Sequence, residues 1–191
     1  FALCSAIKKH TGTKAVVAID KKTSLVHPLY KRIEALGSDL MIESPESIID
    51  KVNKQTLLII LDTHRPSMLE CPELLDLAGT IVVIDHHRKS VDHISNAVIF
   101  YHETSASSTA EMVSELLQYM CENAVGRAEA EAMLSGITLD TRNFCLNTGV
   151  RTFEASAFLR RKGADTVAVK KFFADSMDNY KIKKHKMTRK N

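Results

Sequence analysis

The sequence predicts an α/β fold in which a mostly parallel sheet is flanked by helices and the second half of the chain is helical. Two continuous apolar runs, "TLLIILD" at 56–62 and "GTIVVIDHH" at 79–87, are typical of strands buried on both faces of a parallel sheet. After Ser108 the apolar residues recur with helical spacing. Strands that alternate with helices favour a parallel sheet covered by those helices.

The composition is that of a globular protein of about one domain. The chain has 191 residues, of which 45% are hydrophobic. It contains no uninterrupted apolar run of about 18–20 residues, as a membrane span needs, and no visible signal peptide. We therefore expect a soluble, cytoplasmic chain. Its four cysteines are scattered without a C-x-x-C pair, so we expect reduced thiols rather than disulfides or a zinc site.

The first half alternates between predicted helices and strands. The opening residues have the spacing of a helix that ends at Gly12, but no capping residue precedes Phe1, so the chain is predicted to start inside a helix. Ser44 and Pro45 are typical of a helix start, and this helix is predicted to run through Val52. The other predicted elements are strands at 13–20, 39–44 and 97–103, a segment at 27–37 that ends at Gly37, and a short helical crossover in "PELLDLAG".

The second half is predicted to be a series of helices. Ser108 and Glu111 have the spacing of a capping box, in which a helix-capping serine and a glutamate three residues later satisfy each other's backbone N–H groups. Further helices are predicted at 127–139 and 150–163, and Asp165 is predicted to open another.

The positive charge is concentrated at the end of the chain. Residues 181–191 hold six Lys or Arg and no acid, so the formal net charge of +3 leaves −3 on the rest of the chain. A basic tail can touch nucleic acid or an anionic lipid surface, or it can be a solvated end. We favour the solvated end, because aromatic residues that could stack on bases do not interleave with the charges.

Polar side chains follow two of the buried apolar runs. Asp62 ends one run, Asp85, His86 and His87 end another, and Asp140 follows "LSGITL". Either these side chains satisfy one another at the sheet edge, or they form a site, which in an open α/β sheet lies beyond the carboxyl ends of the strands. Carboxylates with imidazoles suit Mn²⁺, with Mg²⁺, Fe²⁺ or Zn²⁺ possible.

Groups that could bind phosphate lie near these residues in the sequence. They are Arg65, Arg88, Arg142 and the stretch "TSASST", which includes Ser108 at a predicted helix start. Together with a metal site, they indicate metal-assisted hydrolysis of a phosphate ester. Five other histidines lack such a context and are interpreted as surface or core residues: His10, His27, His93, His102 and His185.

Five stretches resemble a known superfamily. "VIDHHR" is similar to the eponymous motif of the DHH phosphoesterases, which include RecJ exonucleases, oligoribonucleases, family II pyrophosphatases and cyclic-di-AMP phosphodiesterases. "LLIILDTHRPSMLE", "YHETSASSTAEMVSELLQY", "SGITLDTRNF" and "NTGVRTFEASAFLRRKGAD" resemble the GdpP-type cyclic-di-AMP phosphodiesterases of bacteria. The resemblance runs from about residue 1 to residue 180.

The resemblance implies a site for two Mn²⁺ ions. By motif, Asp62 corresponds to the carboxylate that bridges the ions, and His86 and Asp140 to further ligands of one of them. His87 corresponds to the second histidine of the motif, a phosphate contact or proton donor. Asp85 is expected to orient His86 or His87. Arg65, Arg88, Arg142 and Ser108 are expected to contact phosphate.

Two departures from the family pattern shape the functional expectation. The family's first motif, His-x-x-x-Asp-x-Asp, is absent and would lie just upstream of Phe1, so the second metal site keeps only Asp62. Nothing after residue 180 resembles the family's DHHA1 domain. We therefore interpret 1–180 as an N-terminally incomplete DHH domain and 181–191 as a basic tail, in a protein whose intact form would be anchored in a membrane with this domain facing the cytoplasm.

The expected activity is Mn²⁺-dependent hydrolysis of cyclic-di-AMP to pApA in second-messenger signalling, with weak or no turnover by this chain alone. The alternatives are a DHH enzyme that acts on short oligoribonucleotides or pyrophosphate, and a non-catalytic remnant that binds a metal or nucleotide. The expected partner is a cyclic dinucleotide or another small phosphodiester, not a long nucleic acid. A homodimer is possible through the helices after Ser108.

Overall fold

A computed structural model describes residues 1–19, 27–37 and 41–171. In chain order its elements are α1 Ala2–Thr11, β1 Val16–Ala18, α2 His27–Ala35, β2 Met41–Glu43, α3 Pro45–Ile48, β3 Leu57–Leu61, α4 Leu74–Leu77, β4 Thr80–Asp85, β5 Ile99–His102, α5 Thr109–Cys121, α6 Arg127–Asp140, α7 Val150–Arg161 and α8 at 166–171. The predicted domain end at residue 180 and the basic tail at 181–191 lie outside the described residues.

The strands form two sheets. β1 pairs with β2, while β3, β4 and β5 pair in that order, and each of these pairs is parallel. The helices after β5 make the second half helical, so the predicted α/β class is confirmed. We predicted one sheet, and the described residues form two, because an apolar run identifies a buried strand but does not identify its hydrogen-bonded neighbour.

The capping predictions are confirmed in part. The Ser44 hydroxyl accepts a hydrogen bond from the Ser47 N–H at 3.4 Å and starts α3, but α3 ends at Ile48 and a 3₁₀ turn follows instead of helix through Val52. The Ser108 hydroxyl caps α5 by accepting the Glu111 N–H at 3.0 Å.

The second half of the predicted capping box at Ser108 is wrong. The Glu111 carboxylate turns to the preceding serine and accepts its hydroxyl at 2.6 Å and its N–H at 3.4 Å. This geometry holds the loop before α5 against the first turn of the helix, because one buried carboxylate binds both donors of Ser107.

The main core lies between helices α1, α5, α6 and α7. Its fully buried members include Leu117, Ile137, Phe158 and Leu159. Leu61, at the end of β3, packs both against this core and against a smaller cluster around Ile84 and Met112. The helical half is therefore packed directly against the carboxyl ends of β3 and β4.

Two buried glutamates on α6 anchor the helices around it. The carboxylate of Glu131 accepts from Arg32 Nε at 2.9 Å and from Arg127 Nε at 2.8 Å, which ties α2 to α6. The carboxylate of Glu129 accepts from Ser5 Oγ at 2.5 Å and Lys9 Nζ at 2.7 Å, which ties α1 to α6. Both carboxylates are thus buried with charged partners, as buried charges require.

In the described part of the chain, none of the helices is both long and apolar enough to cross a membrane.

Gly79, just before β4, lies too close to a neighbouring backbone to carry a side chain. A Cβ at Gly79 would be 1.8 Å from the carbonyl oxygen of Lys54, which a backbone atom cannot relieve by rotating. We expect Gly79→Ala to lower the free energy of unfolding by about 1–3 kcal/mol or more, as overpacking does. Gly149→Ala is the matched control, because a Cβ there meets nothing within 4 Å and only a poorer helix cap, about 1 kcal/mol at most, is introduced. Urea denaturation compares the two, and equal losses would contradict the steric argument.

Glu131 makes stability depend on pH. Burial alone raises the pKa of Glu131, but the hydrogen bonds and charges of Arg32 and Arg127 outweigh burial and hold the pKa below its ordinary value of 4.5. The resulting stabilisation is complete above the unfolded-state pKa and is lost as the pH falls through the lower pKa of the folded state. We expect Glu131→Gln to flatten the acid side of the unfolding free-energy profile by up to about 1.4 kcal/mol per pH unit, measured by urea denaturation at a series of pH values. An unchanged acid slope in the variant would show that Glu131 is not responsible.

Candidate metal and phosphate site

The register of β3 and β4 brings two predicted site residues to one edge of the sheet. Leu61 pairs with Ile84, so the residues that follow them, Asp62 and Asp85, lie side by side. The Asp62 N–H donates to the Ile84 carbonyl at 3.0 Å, which continues the pairing by one bond beyond β3. Asp62 has a φ of +67°, a left-handed conformation uncommon for a residue with a side chain and often found at functional sites.

His86 lies between two carboxylates. Its Nε2 is 3.6 Å from Asp62 Oδ1 and 3.8 Å from Asp140 Oδ2. Asp140 is the last residue of α6, so strand β3, the loop after β4 and helix α6 each contribute one group. His87 is also close, because one ligand atom each from Asp62, His86 and His87 lies within 4.8 Å of the others. The structure thus brings together the three predicted metal ligands and the second histidine of the motif.

These atoms fit a divalent cation. Two ligand atoms that each lie about 2.0–2.2 Å from one ion are roughly 3 Å apart at a right angle and about 4 Å apart at most. The distances from His86 Nε2 to Asp62 and Asp140 lie in that range. Two carboxylates with imidazole are also a donor set that Mn²⁺ accepts.

The ring of His86 is oriented by the backbone. Its Nδ1 is 3.3 Å from the carbonyl oxygen of Ala106, and because a carbonyl only accepts, Nδ1 carries the proton in this contact. In the neutral ring Nε2 is then the nitrogen with the free lone pair, and it is the one that faces Asp62 and Asp140. We predicted that Asp85 orients His86 or His87, and for His86 the orienting group is Ala106.

Asp85 holds two other histidines. It is fully buried, and its Oδ1 accepts from the His87 backbone N–H at 3.1 Å and from His87 Nδ1 at 2.8 Å, while its Oδ2 is hydrogen-bonded to Nδ1 of His64. Burial alone raises the pKa of Asp85, but the hydrogen bonds from His87 and His64 lower it below its ordinary value. A carboxylate at this position therefore stays charged without a metal of its own.

His64 is a site residue that sequence reasoning missed. Only 2% of it is exposed, and its Nε2 accepts the backbone N–H of Ser90 at 2.9 Å. The available signal was its position, since His64 follows the apolar run that ends at Asp62 and precedes a proline two residues later, much as His86 and His87 follow β4.

The pKa values of Asp140 and His87 are both raised, but for different reasons. The pKa of Asp140 is raised by burial first and by the charge of Asp62 next, against the lowering effect of His86 and His87. Burial lowers the pKa of His87, but its hydrogen bond to Asp85 and the charges of Asp62, Asp85 and Asp140 outweigh burial and raise the pKa above its ordinary value. The neighbouring carboxylates thus contribute to raising both pKa values, in addition to burial at Asp140 and the hydrogen bond from His87 to Asp85.

The predicted phosphate-binding residues are placed differently from one another. Arg65, Arg88 and Arg142 are exposed and lie on the segments that follow β3, β4 and α6, the same elements that supply Asp62, His86 and Asp140. Ser108 is fully buried and its hydroxyl is engaged as the cap of α5. A phosphate contact through Ser108 stays a prediction, and it would have to compete with the cap.

Comparison with known protein families supports the family resemblance that the motifs indicate. The model of the DHH family, N-terminal domain, matches residues 1–137. The chain is 45% identical over 158 residues to "Cyclic-di-AMP phosphodiesterase GdpP" of Bacillus subtilis, covering 82% of this chain and 24% of that protein. It is 44% identical over 140 residues to "Cyclic-di-AMP phosphodiesterase PdeA" of Listeria monocytogenes, covering 73% of this chain and 21% of that protein. The chain thus spans about a quarter or less of the length of these relatives.

A solved structure confirms the fold. A crystal structure of an exopolyphosphatase-related protein from Bacteroides fragilis superposes with a TM-score of 0.61 at 18% identity, over 76% of this chain and 50% of that one. At this identity the likeness concerns the fold alone. The family match over 137 residues, the identity to the GdpP and PdeA proteins and the DHH motif at the end of β4 together establish that the chain belongs to the DHH family and is of the GdpP type.

Proposed function

We propose that this chain is part of a metal-dependent phosphodiesterase that hydrolyses cyclic-di-AMP to pApA. The observation that carries the proposal is the convergence of Asp62, His86 and Asp140 from three separate elements, with His86 Nε2 within 3.8 Å of both carboxylates. The substrate is inferred from the relatives, two of which are named cyclic-di-AMP phosphodiesterases. We also propose that the intact protein is anchored in a membrane.

Asp62, His86 and Asp140 would hold a Mn²⁺ ion. When bound, such an ion activates water as a nucleophile and neutralises charge on the reacting phosphoryl group. The hydrogen bond from His86 Nδ1 to the Ala106 carbonyl orients the ring so that Nε2 faces the two carboxylates, as a metal ligand would. Asp62 is the most exposed of the three and is therefore the group best placed to contact a second ion.

His87 would donate a proton to the leaving oxygen of the phosphodiester. Its Nδ1 is hydrogen-bonded to Asp85, so Nε2 is the nitrogen left available to the substrate. The raised pKa of His87 in the metal-free protein favours the protonated form that a general acid needs. Asp85 keeps the ring in place and stabilises its charge, a division of labour familiar from hydrogen-bonded carboxylate and histidine pairs.

The arginines would bind the phosphates. A cyclic dinucleotide carries two phosphodiester groups, and a guanidinium can donate two parallel hydrogen bonds to each. Arg65, Arg88 and Arg142 are exposed on the segments that follow β3, β4 and α6, so we expect them to contact a phosphate bound at this edge of the sheet.

Manganese binding tests the metal ligands directly. We expect isothermal titration calorimetry of the 191-residue chain to detect a Mn²⁺ site that Asp62→Asn, His86→Ala and Asp140→Asn each weaken by at least about tenfold, because each removes a donor atom. Asp92→Asn is the control, since Asp92 is an exposed acid on the loop after His87. Equal binding by wild type and the three variants would place the ion elsewhere and contradict the ligand assignment.

Hydrolysis is tested separately with a panel of cyclic-di-AMP, a short oligoribonucleotide and pyrophosphate. We expect cyclic-di-AMP to be the preferred substrate, and we expect a longer protein that contains the family's first motif to turn it over faster than this chain. Preference for another member of the panel would overturn the substrate assignment and leave the metal site standing. Normal activity in a His86→Ala variant would overturn the mechanism.

A further inference from the structure

His64, on the segment after β3, is buried against the loop that follows the DHH motif. Its ring centroid lies 6.1 Å from that of Phe100 and 5.7 Å from that of His102, both on β5. Its backbone carbonyl accepts the Ile94 N–H at 2.9 Å, and its Nε2 accepts the Ser90 N–H at 2.9 Å. One residue thus holds the loop after β4 at two places.

The hydrogen bond from Ser90 decides where the proton of His64 resides. A backbone N–H can only donate, so Nε2 of His64 is the unprotonated nitrogen and Nδ1 carries the proton. Nδ1 points at Asp85 Oδ2, and a protonated nitrogen there donates to the carboxylate. The backbone of the loop therefore selects the tautomer of His64 that can bind Asp85.

The Asp85 carboxylate, held in this way by His64, also determines the orientation of His87. With Oδ2 occupied by His64, Oδ1 is the oxygen that accepts both the backbone N–H and the Nδ1–H of His87. The carbonyl of His87 in turn contacts His102 Nε2 at 2.5 Å. His87 is therefore fixed from its ring and from both sides of its backbone.

We infer that His64 is a positioning residue, which fixes the orientation and tautomer of His87 through Asp85. The inference rests on the proposed function for its catalytic meaning, because the nitrogen it leaves available, His87 Nε2, is the one assigned to the leaving oxygen. A residue that only filled space in this cluster would affect stability and leave the His87 ring unchanged. His64 does more, because its proton and its lone pair both have defined partners.

The imidazole ¹⁵N resonances of the metal-free chain test this without any substrate. Chemical shifts and long-range couplings distinguish the two neutral tautomers, and at mildly alkaline pH we expect both His64 and His87 to be protonated at Nδ1. Wild type alone can overturn the inference, since an Nε2-protonated tautomer for either ring is incompatible with the contacts to Asp85.

Variants extend the test. His64→Phe keeps a ring but removes both polar contacts, whereas the longer side chain of His64→Gln carries its amide to the position of the imidazole Nε2 beside Ser90 and away from that of Nδ1 beside Asp85. We expect the ¹⁵N shifts of His87 to move towards those of a mixture of tautomers in both variants, and to stay as in wild type for His64→Asn, whose amide can still donate to Asp85. His93→Gln is the control, because His93 packs 6.2 Å from Phe100 in the same cluster. Unchanged His87 shifts in a folded His64→Phe or His64→Gln protein would overturn the inference.

A kinetic measurement separates this inference from the proposed function. In a longer form of the protein that hydrolyses cyclic-di-AMP, we expect His64→Phe to lower kcat by about 10–100-fold with KM unchanged. Loss of a group that orients a catalytic residue has this effect. A changed KM with an unchanged kcat would contradict a positioning role. If no wild-type protein that contains this chain, of any length, hydrolyses cyclic-di-AMP, the proposed function fails, while the ¹⁵N measurement still decides the role of His64.

Discussion

A buried carboxylate, Asp85, governs the arrangement of this site. A charged side chain at the end of a central strand is costly to bury unless each oxygen is satisfied, and here His64 occupies one oxygen and His87 the other. The loop after β4 has to return to His64 to complete these bonds. That return sets the position of His87 and, through the intervening peptide, of His86 next to it.

The sheet register provides the second constraint. Because β3 and β4 are parallel neighbours, Asp62 emerges at the same edge as the DHH motif, and the packing of α6 against Leu61 brings Asp140 to the same place. His86 can then face both carboxylates while its other nitrogen is held by Ala106. The two histidines of the motif consequently have different environments: His87 is bound to a carboxylate of the fold, and His86 faces the carboxylates of the candidate metal site.

Much of this arrangement could be predicted from the sequence, but the hydrogen bonds within the site could not. Apolar runs that end in Asp62 and Asp85 predicted both the strands and their shared edge, because parallel strands of similar length align their carboxyl ends. The role of His64 escaped prediction because it depends on a hydrogen bond to the backbone of Ser90, 26 residues away. The motif could not show whether Asp85 orients His86 or His87 either. The two histidines are adjacent in the sequence, and only the direction of each side chain in the fold decides which ring reaches Asp85. Ser108 is buried because of the way the loop before α5 folds. The sequence pattern alone fitted a helix-capping role for Ser108 as well as a phosphate-binding role.

The most direct test of the account is anomalous diffraction from a crystal of this chain soaked in Mn²⁺. We predict an anomalous peak about 2.0–2.2 Å from His86 Nε2 and from carboxylate oxygens of Asp62 and Asp140, with His87 still hydrogen-bonded to Asp85. A manganese ion bound away from His86, or one that draws Asp85 from its buried position to become a ligand, would contradict it.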